Sequence, residues 1–310
     1  MTIEAPDSNR REHVDATAFV GGALTLLVLQ AASVIAIGRG WWWLLGMLIP
    51  ITAHFMHGAL IGLHEASHGL LRKNRWLNEA DGILIGVFSF TSFSLYRAAH
   101  QTHHAHLGRE RDEEFWPFVC TDVPRWARVA AAVGELTFGM IFSPWIFFRS
   151  FLRKGSPIRS PKVRRRIWQE IGAMVLVWVL VLSAVQIWSL WPYFIGAYLI
   201  PAWLAGNLQS WRKYIEHIGM NGDTVNGLTR SIVPQTAFGR LIAFTLLHEP
   251  FHGVHHQKSA LPHAVLPQHV DLLEPSRSDE VAPFPSYRAA LGHLFRSLGD
   301  PTMGPQWRAR

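Results

Sequence analysis

The chain of 310 residues carries 29 Lys and Arg against 22 Asp and Glu, which gives a net charge of +7 with neutral histidines. It is 49% hydrophobic and contains 14 Trp and 18 Phe. One cysteine, Cys120, excludes an intrachain disulfide and any cysteine-rich zinc or iron–sulfur site. The segment Met1–His13 is polar, so we expect no cleavable signal peptide.

Long uncharged runs predict membrane-spanning helices. Ala16–Gly38 has 23 residues without Asp, Glu, Lys or Arg, and at 1.5 Å per residue such a helix is about 35 Å long, enough to cross a bilayer. Gly40–His64 is a second uncharged run, and Ile171–Trp211 is long enough for two spans with a turn at Trp188–Tyr193. We predict an all-α membrane protein with four transmembrane helices in two hairpins, over residues 16–38, 40–63, 171–190 and 192–211.

Two shorter apolar runs, Gly82–Tyr96 and Leu136–Phe148, fall below the roughly twenty residues that a span needs. We expect the second run to be broken at Pro144. We predict both as interfacial or buried helices, with the alternative that one of them is a true span.

Positive charges predict the orientation in the membrane. Eight Lys and Arg residues crowd the loop 149–166, and Arg39 stands nearly alone on the opposite side. By the positive-inside rule, both termini are cytoplasmic, together with segments 64–170 and 212–310, which form a helical cap on one membrane domain. A nucleic-acid partner is not expected, because the basic loop lacks a reading helix or an aromatic platform.

Histidines are grouped in three boxes whose spacing is typical of metal ligands. Residues i, i+3 and i+4 share one helix face, and neutral imidazole is the commonest protein metal ligand. Helix lengths place box one and His217 at nearly the same height beyond the cytoplasmic face. The nine predicted ligands are His64 and His68 in box one, His100, His103 and His104 in box two, His252, His255 and His256 in box three, and His217.

Nine imidazoles exceed the four ligands of a tetrahedral zinc site and suit two first-row metals. Ligand type alone leaves iron, zinc, copper and nickel open.

The three boxes resemble those of the membrane-bound fatty acid desaturase and hydroxylase superfamily. The pattern H-x(3,4)-H, H-x(2,3)-H-H, (H/Q)-x(2,3)-H-H matches His64/His68, His100/His103/His104 and His252/His255/His256. The run Tyr214–Gly219 is similar to the extra-histidine segment of alkane hydroxylases and some bacterial desaturases. Ile218, Glu113 and His248-Glu249 depart from common subfamily residues, which leaves the subfamily open.

The resemblance implies a non-haem centre of two Fe ions, with O2 as co-substrate and a lipid or other apolar substrate in the membrane. It also implies an external electron donor of the ferredoxin, rubredoxin or cytochrome b5 type with its reductase, since we see no cytochrome b5 module in this sequence. Metal-bound histidines need partners on their other ring nitrogen. The acids beside the boxes are the candidates for that role: Glu65, Asp112, Glu216 and Glu249.

The remaining histidines receive other interpretations. His54 and His57 lie inside the second span, where hydrogen bonding to another helix is favoured over substrate contact. His106 and His248 are close to the boxes and are weaker ligand candidates. His13, His263, His269 and His293 are predicted to be surface or interfacial residues.

Three classes of function follow from these residues. The first is an oxygen-dependent desaturase that introduces a double bond into an acyl chain of a fatty acyl lipid or thioester. The second is a hydroxylase or ketolase of the same superfamily that acts on an alkane, acyl chain or carotenoid. The third is a non-catalytic membrane metal-binding or transport protein, although transporter sites lie near the bilayer midplane. A zinc-dependent hydrolase is weaker still, because nine ligands exceed its needs.

Overall fold

The computed structural model describes residues 14–308, and within this range the chain is helical, with one isolated bridge between Ile232 and Phe284. The helices are α1 (Thr17–Gly38), α2 (Trp42–His68), α3 (Arg75–Phe88), α4 (Phe93–Ala105), α5 (Arg125–Thr137), α6 (Gly139–Leu152), α7 (Pro161–Ile187), α8 (Trp191–Phe194), α9 (Ile200–His217), α10 (Val225–Leu228), α11 (Ala237–Thr245), α12 (His252–Gln257) and α13 (Tyr287–Phe295). Short 3-10 helices cover Glu113–Phe115, His263–Leu273 and Pro305–Trp307.

Three helices in the described residues, α1, α2 and α7, are long and apolar enough to cross a membrane. The first two coincide with the predicted spans 16–38 and 40–63, and α2 continues to His68, so that box one is its last turn. The predicted span 171–190 overlaps α7, which ends three residues earlier, at Ile187. Helix α7 also begins ten residues before the predicted span, because Ser160 caps it and Pro161 occupies its first position.

The predicted span 192–211 is helical but is divided into three pieces. A π-helical segment, Ile195–Leu199, joins α8 to α9. Helix α9 carries Arg212, Lys213 and Glu216 near its end, so composition alone does not identify it as a span. The arrangement of four spans in two hairpins therefore stays a prediction.

Both short apolar runs fold differently from the prediction. Gly82–Tyr96 is not one helix, because α3 ends at Phe88 and α4 begins at Phe93 after a bend of 100°. If this bent pair is counted as one broken span, the described residues contain four. In Leu136–Phe148 the break lies at Phe138, and α6 continues through Pro144.

Helix α2 lies at the centre and packs against α1, α3, α4 and α9. Helix α9 is held on its other side by α6, where Gly139 and Gly206 allow the two backbones to touch. A Cβ atom at Gly139 would lie 2.3 Å from the carbonyl oxygen of Gly206. This close packing fixes the two helix ends, at His68 and His217, relative to each other.

The two histidines within α2 have different surroundings. The Nε2 atom of His54 lies 2.8 Å from the hydroxyl of Thr245 on α11, which is the interhelical bond favoured from sequence. His57 is buried, and its Nε2 atom has no hydrogen-bond partner among residues 14–308.

Candidate metal centre

Helix ends bring the three histidine boxes into one cluster. Box one ends α2, box two lies in the second half of α4, His217 ends α9, and box three forms α12. Each box occupies one or two turns, so its rings point from one helix face into the same space. Within this cluster the nine predicted histidines form two sets.

The five-histidine set consists of His64, His68, His100, His104 and His255, and their ligand atoms all lie within 4.8 Å of one another. The Nε2 atom of His100 is 3.1 Å from that of His68 and 3.0 Å from that of His104. The Nε2 atom of His255 is 3.1 Å from that of His104.

The other four histidines fall in two overlapping groups, His103/His217/His256 and Glu216/His217/His252, which together we call the four-histidine set. The Nε2 atom of His252 lies 2.7 Å from that of His217 and 3.0 Å from that of His256. The Nε2 atoms of His103 and His256 are 3.4 Å apart. The two sets touch where the rings of His104 and His256 stack, with centroids separated by 4.3 Å.

These separations fit metal coordination better than hydrogen bonding. An imidazole Nε2 atom offers either one proton or one lone pair, so it cannot bond two neighbours as His100 and His104 would require. Imidazole binds zinc at about 2.0–2.1 Å, and two nitrogens on one such ion lie about 3.0 Å apart at right angles and about 3.4 Å apart at the tetrahedral angle. The Nε2 atom of His64 is also buried without a hydrogen-bond partner among the described residues. Both sets can therefore hold a metal ion.

The opposite ring nitrogens face acceptors. The Nδ1 atom of His103 lies 2.8 Å from Asp112, that of His100 lies 3.0 Å from Glu114, and that of His217 lies 3.0 Å from the carbonyl oxygen of Leu228. Because these acceptors favour a proton on Nδ1, they leave the Nε2 lone pairs directed toward the centre.

One carboxylate contacts both histidine sets. Glu249 Oε2 lies 3.1 Å from His64 Nδ1 of the five-histidine set, and Oε1 lies 3.1 Å from His252 Nδ1 of the four-histidine set. The buried Arg212 guanidinium donates to Glu249 Oε1 and, at 2.6 Å, to Glu216. Glu216 also lies 3.7 Å from His252 Nδ1. Arg212 thus compensates two carboxylates at the boundary between the sets.

Burial keeps the box-three imidazoles neutral. It lowers the pKa of His252 to about 4, against the opposing effect of its bond to Glu249. Burial, with neighbouring histidines, lowers the pKa of His255 and His256 well below the ordinary value. Burial alone would raise the pKa of Glu249, but His64 and Arg212 hold that pKa well below its ordinary value. Neutral rings beside a carboxylate are the protonation states that metal binding needs.

Of the four acids singled out from sequence, Glu65 makes the weakest contact with a ring. Its Oε1 atom lies 3.9 Å from His64 Nδ1, and its buried Oε2 atom has no hydrogen-bond partner in the described part of the chain. Asp112, Glu216 and Glu249 contact histidines as described above.

The weaker histidine candidates lie outside both sets. His248 stacks on His263, with centroids 5.8 Å apart, and His106 belongs to no metal-capable group in residues 14–308. The prediction of a surface position for His263 is wrong, because its ring is 1% exposed and bonds the carbonyl oxygen of Asp15. His293 and His269 are half-buried, His293 accepts a hydrogen bond from Arg230, and His13 lies outside the described residues.

Sequence reasoning missed Glu114 and Arg212. Glu114 lies fourteen positions after His100, and a 3-10 turn at Glu113–Phe115 brings it back to that ring. The acid-rich run was visible, but nothing in it distinguished Glu114 from its neighbours. Arg212 had a signal, since it stands four residues before Glu216 on one helix face.

A cavity of about 530 Å³ lies among the helices of the membrane domain and ends beside the cluster, at residues that contact His100 but at none of the nine histidines. Its wall is mostly apolar and comes from α1, α2, α3, α6 and α9. It includes Tyr96, whose ring stacks on His100 at 5.4 Å, and Glu114, which bonds the same histidine. An apolar ligand in this cavity would therefore lie against the partners of the five-histidine set.

Comparison with known proteins gives the family. A Delta(9) fatty acid conjugase-like enzyme of Dimorphotheca sinuata is 25% identical over 155 residues, which are 41% of this chain and 41% of that protein. An sn-1 oleoyl-lipid 12-desaturase of Anabaena variabilis is 30% identical over 91 residues, 27% of this chain and 26% of that protein. The chain thus matches less than half the length of either relative. The family model for fatty acid desaturases, however, matches residues 40–288, which include all three boxes and His217, and the chain belongs to that family.

Proposed function

We propose that this protein is an O2-dependent membrane desaturase that introduces a double bond into an acyl chain of a fatty acyl lipid or thioester. The observation that carries the proposal is the apolar cavity ending at Tyr96 and Glu114, both of which contact His100. Family membership supports the reaction class. Ligand pockets of about 300–1,000 Å³ with apolar walls and few polar groups are typical of small-molecule sites.

The two histidine sets are proposed to hold two iron ions. When bound, these ions supply the activation of O2 and the removal of hydrogen from an unactivated C–H bond. The protein's part is to direct imidazole lone pairs inward, and for five of the nine histidines an acceptor lies at Nδ1: Asp112, Glu114, Glu216, Glu249 or the carbonyl oxygen of Leu228. The apolar wall positions the acyl chain and excludes water. Electrons come from a separate donor of the ferredoxin, rubredoxin or cytochrome b5 type.

Metal content tests the two-ion proposal. Purified protein is expected to hold two iron ions per chain by elemental analysis, and His104→Ala should lower that content because it removes a ligand from the five-histidine set. His106→Ala is the matched control, since His106 lies two residues away and outside both sets. One iron per wild-type chain, or full content in His104→Ala, would contradict the proposal.

Product analysis tests the reaction. Expression in a host that lacks the activity should yield, only in the presence of O2, acyl chains that have lost two hydrogens by mass. His255→Ala should abolish this product and His106→Ala should retain it. Gain of one oxygen would instead assign the hydroxylase alternative. Iron-loaded protein that yields neither product with any electron donor tested would remove the desaturase assignment.

Filling the cavity tests where the substrate lies. Ala23 lines the cavity from α1, whereas Ala31 of the same helix is exposed outside it. Ala23→Phe is expected to reduce product at least tenfold or to restrict it to shorter chains, with iron content unchanged, because the added ring occupies the acyl path. Ala31→Phe should leave chain-length distribution unaltered, as measured by lipid mass analysis. Equal distributions in both variants would place the substrate elsewhere.

Charge balance at Arg212 can be tested independently of turnover. Removal of one partner from a buried ion pair typically costs about 3–5 kcal/mol, so Arg212→Met should lower both thermal stability and iron content. Arg212→Met/Glu216→Gln should recover part of both, because it removes one of the two uncompensated carboxylates. Arg166→Met removes a partly exposed ion pair and is the control. It should change thermal stability and iron content little. A double variant no better than Arg212→Met would refute the charge-balance account.

A further inference from the structure

Helix α11 carries an apolar face that no other part of the described chain covers. Phe238, Leu241 and Phe244 are 72%, 54% and 41% exposed. Their spacing of three residues places them along one side of the nine-residue helix. An exposed row of large apolar side chains marks a surface that contacts another apolar phase.

Two contacts fix the position of α11 along α2. The hydroxyl of Thr245 lies 2.8 Å from His54 Nε2, and a Cβ atom at Gly58 would lie 3.0 Å from the carbonyl oxygen of Thr245. His54 precedes His68, the last residue of α2, by fourteen positions, which is about 21 Å of helix. The end of α11 therefore lies near the middle of a candidate span, and His64, the nearest cluster histidine on α2, is six to ten residues further along, which is about 9–15 Å of helix.

The surroundings of α11 belong to the membrane domain. It packs against α1, a candidate span whose Leu24, Leu27 and Val28 are also exposed. The charged residue of α11 is Arg240, and its guanidinium donates to the carbonyl oxygen of Gln235, before the start of the helix. The guanidinium thus points toward the start of α11, away from Thr245 at the end that contacts His54.

A sharp turn returns the chain to the histidine cluster. Leu247 and His248 both adopt left-handed backbone conformations, with φ of 50° and 52°, which are strained for residues with these side chains. Directly after this turn, Glu249 contacts both histidine sets. Thr245 and Leu247 line the cavity. Residues 234–247, which contain α11, therefore lie between the cavity and the outside of the protein.

We infer that residues 234–247 form a re-entrant segment that inserts the apolar face of α11 into the acyl region of the bilayer and closes the cavity on its lipid side. The partner of this face is the membrane lipid itself. The charge pattern had predicted that segment 212–310 lies wholly outside the membrane. With this insertion, residues 234–247 of that segment lie inside it. Such insertion buries backbone polar groups of α11, which helical hydrogen bonds satisfy. It also buries the Thr245 hydroxyl, which donates to the carbonyl oxygens of Leu241 and Ile242.

The single cysteine makes a direct test practical. In a Cys120→Ser background, nitroxide labels are placed at 238 and 241 in full-length protein reconstituted into phosphatidylcholine–phosphatidylglycerol vesicles. Relaxation by O2, which concentrates in lipid, is compared with relaxation by a water-soluble nickel chelate. Leu24→Cys in α1, which is 59% exposed and does not line the cavity, is the control for lipid. Arg288→Cys in α13, a helix of equal length, is the control for water.

Labels at 238 and 241 are expected to match position 24, with an O2-to-nickel ratio severalfold higher than at position 288. Values that match position 288 would overturn the inference. Circular dichroism and gel filtration of each labelled variant identify any that fail to fold, and for those positions Phe244→Cys provides the replacement site. The result does not depend on turnover, so the desaturase assignment and the re-entrant segment can fail separately.

Discussion

Convergence of unprotonated imidazole nitrogens is the constraint on which this structure depends. Nδ1 protons held by Asp112, Glu114 and a backbone carbonyl leave Nε2 lone pairs facing one another at about hydrogen-bond distance. Without a cation between them such lone pairs repel, so the surrounding packing must hold the rings in place. The contacts between α2, α4, α6 and α9 supply that rigidity. The fold thus holds these rings in an arrangement that a bound cation would stabilise.

Short-range periodicity explains how much of this arrangement the sequence predicts. The i, i+3 and i+4 spacings in box two place three rings on one face whatever the rest of the fold does. The position of His217 could be predicted from helix length, because the rise per residue is fixed and α9 ends close to the level of box one. The two apolar helices α1 and α2 also followed from composition, although α2 continues to His68, five residues beyond the predicted span.

Contacts between distant segments explain what sequence reasoning missed. The burial of His263 depends on Asp15, 248 residues away, and no local pattern records that pairing. Glu114 depends on how a 3-10 turn redirects the chain after box two. Pro144 lies inside α6, while the break in that run falls at Phe138, six residues earlier, which the proline did not indicate. In each case contacts between distant parts of the chain selected one local conformation among several that the sequence allowed equally.

The turn at Leu247–Glu249 connects the two halves of the proposed mechanism. Leu247 lines the cavity, and Glu249, two residues later, contacts a histidine of each set. Two of the turn's three residues, Leu247 and His248, have left-handed backbone conformations, which reverse the chain between the cavity wall and the histidines. A ligand that contacts Leu247 would therefore lie two residues from a carboxylate whose oxygens are 3.1 Å from His64 Nδ1 and His252 Nδ1. Arg212 bonds that carboxylate from α9, so one short segment borders the cavity on one side and the candidate metal centre on the other.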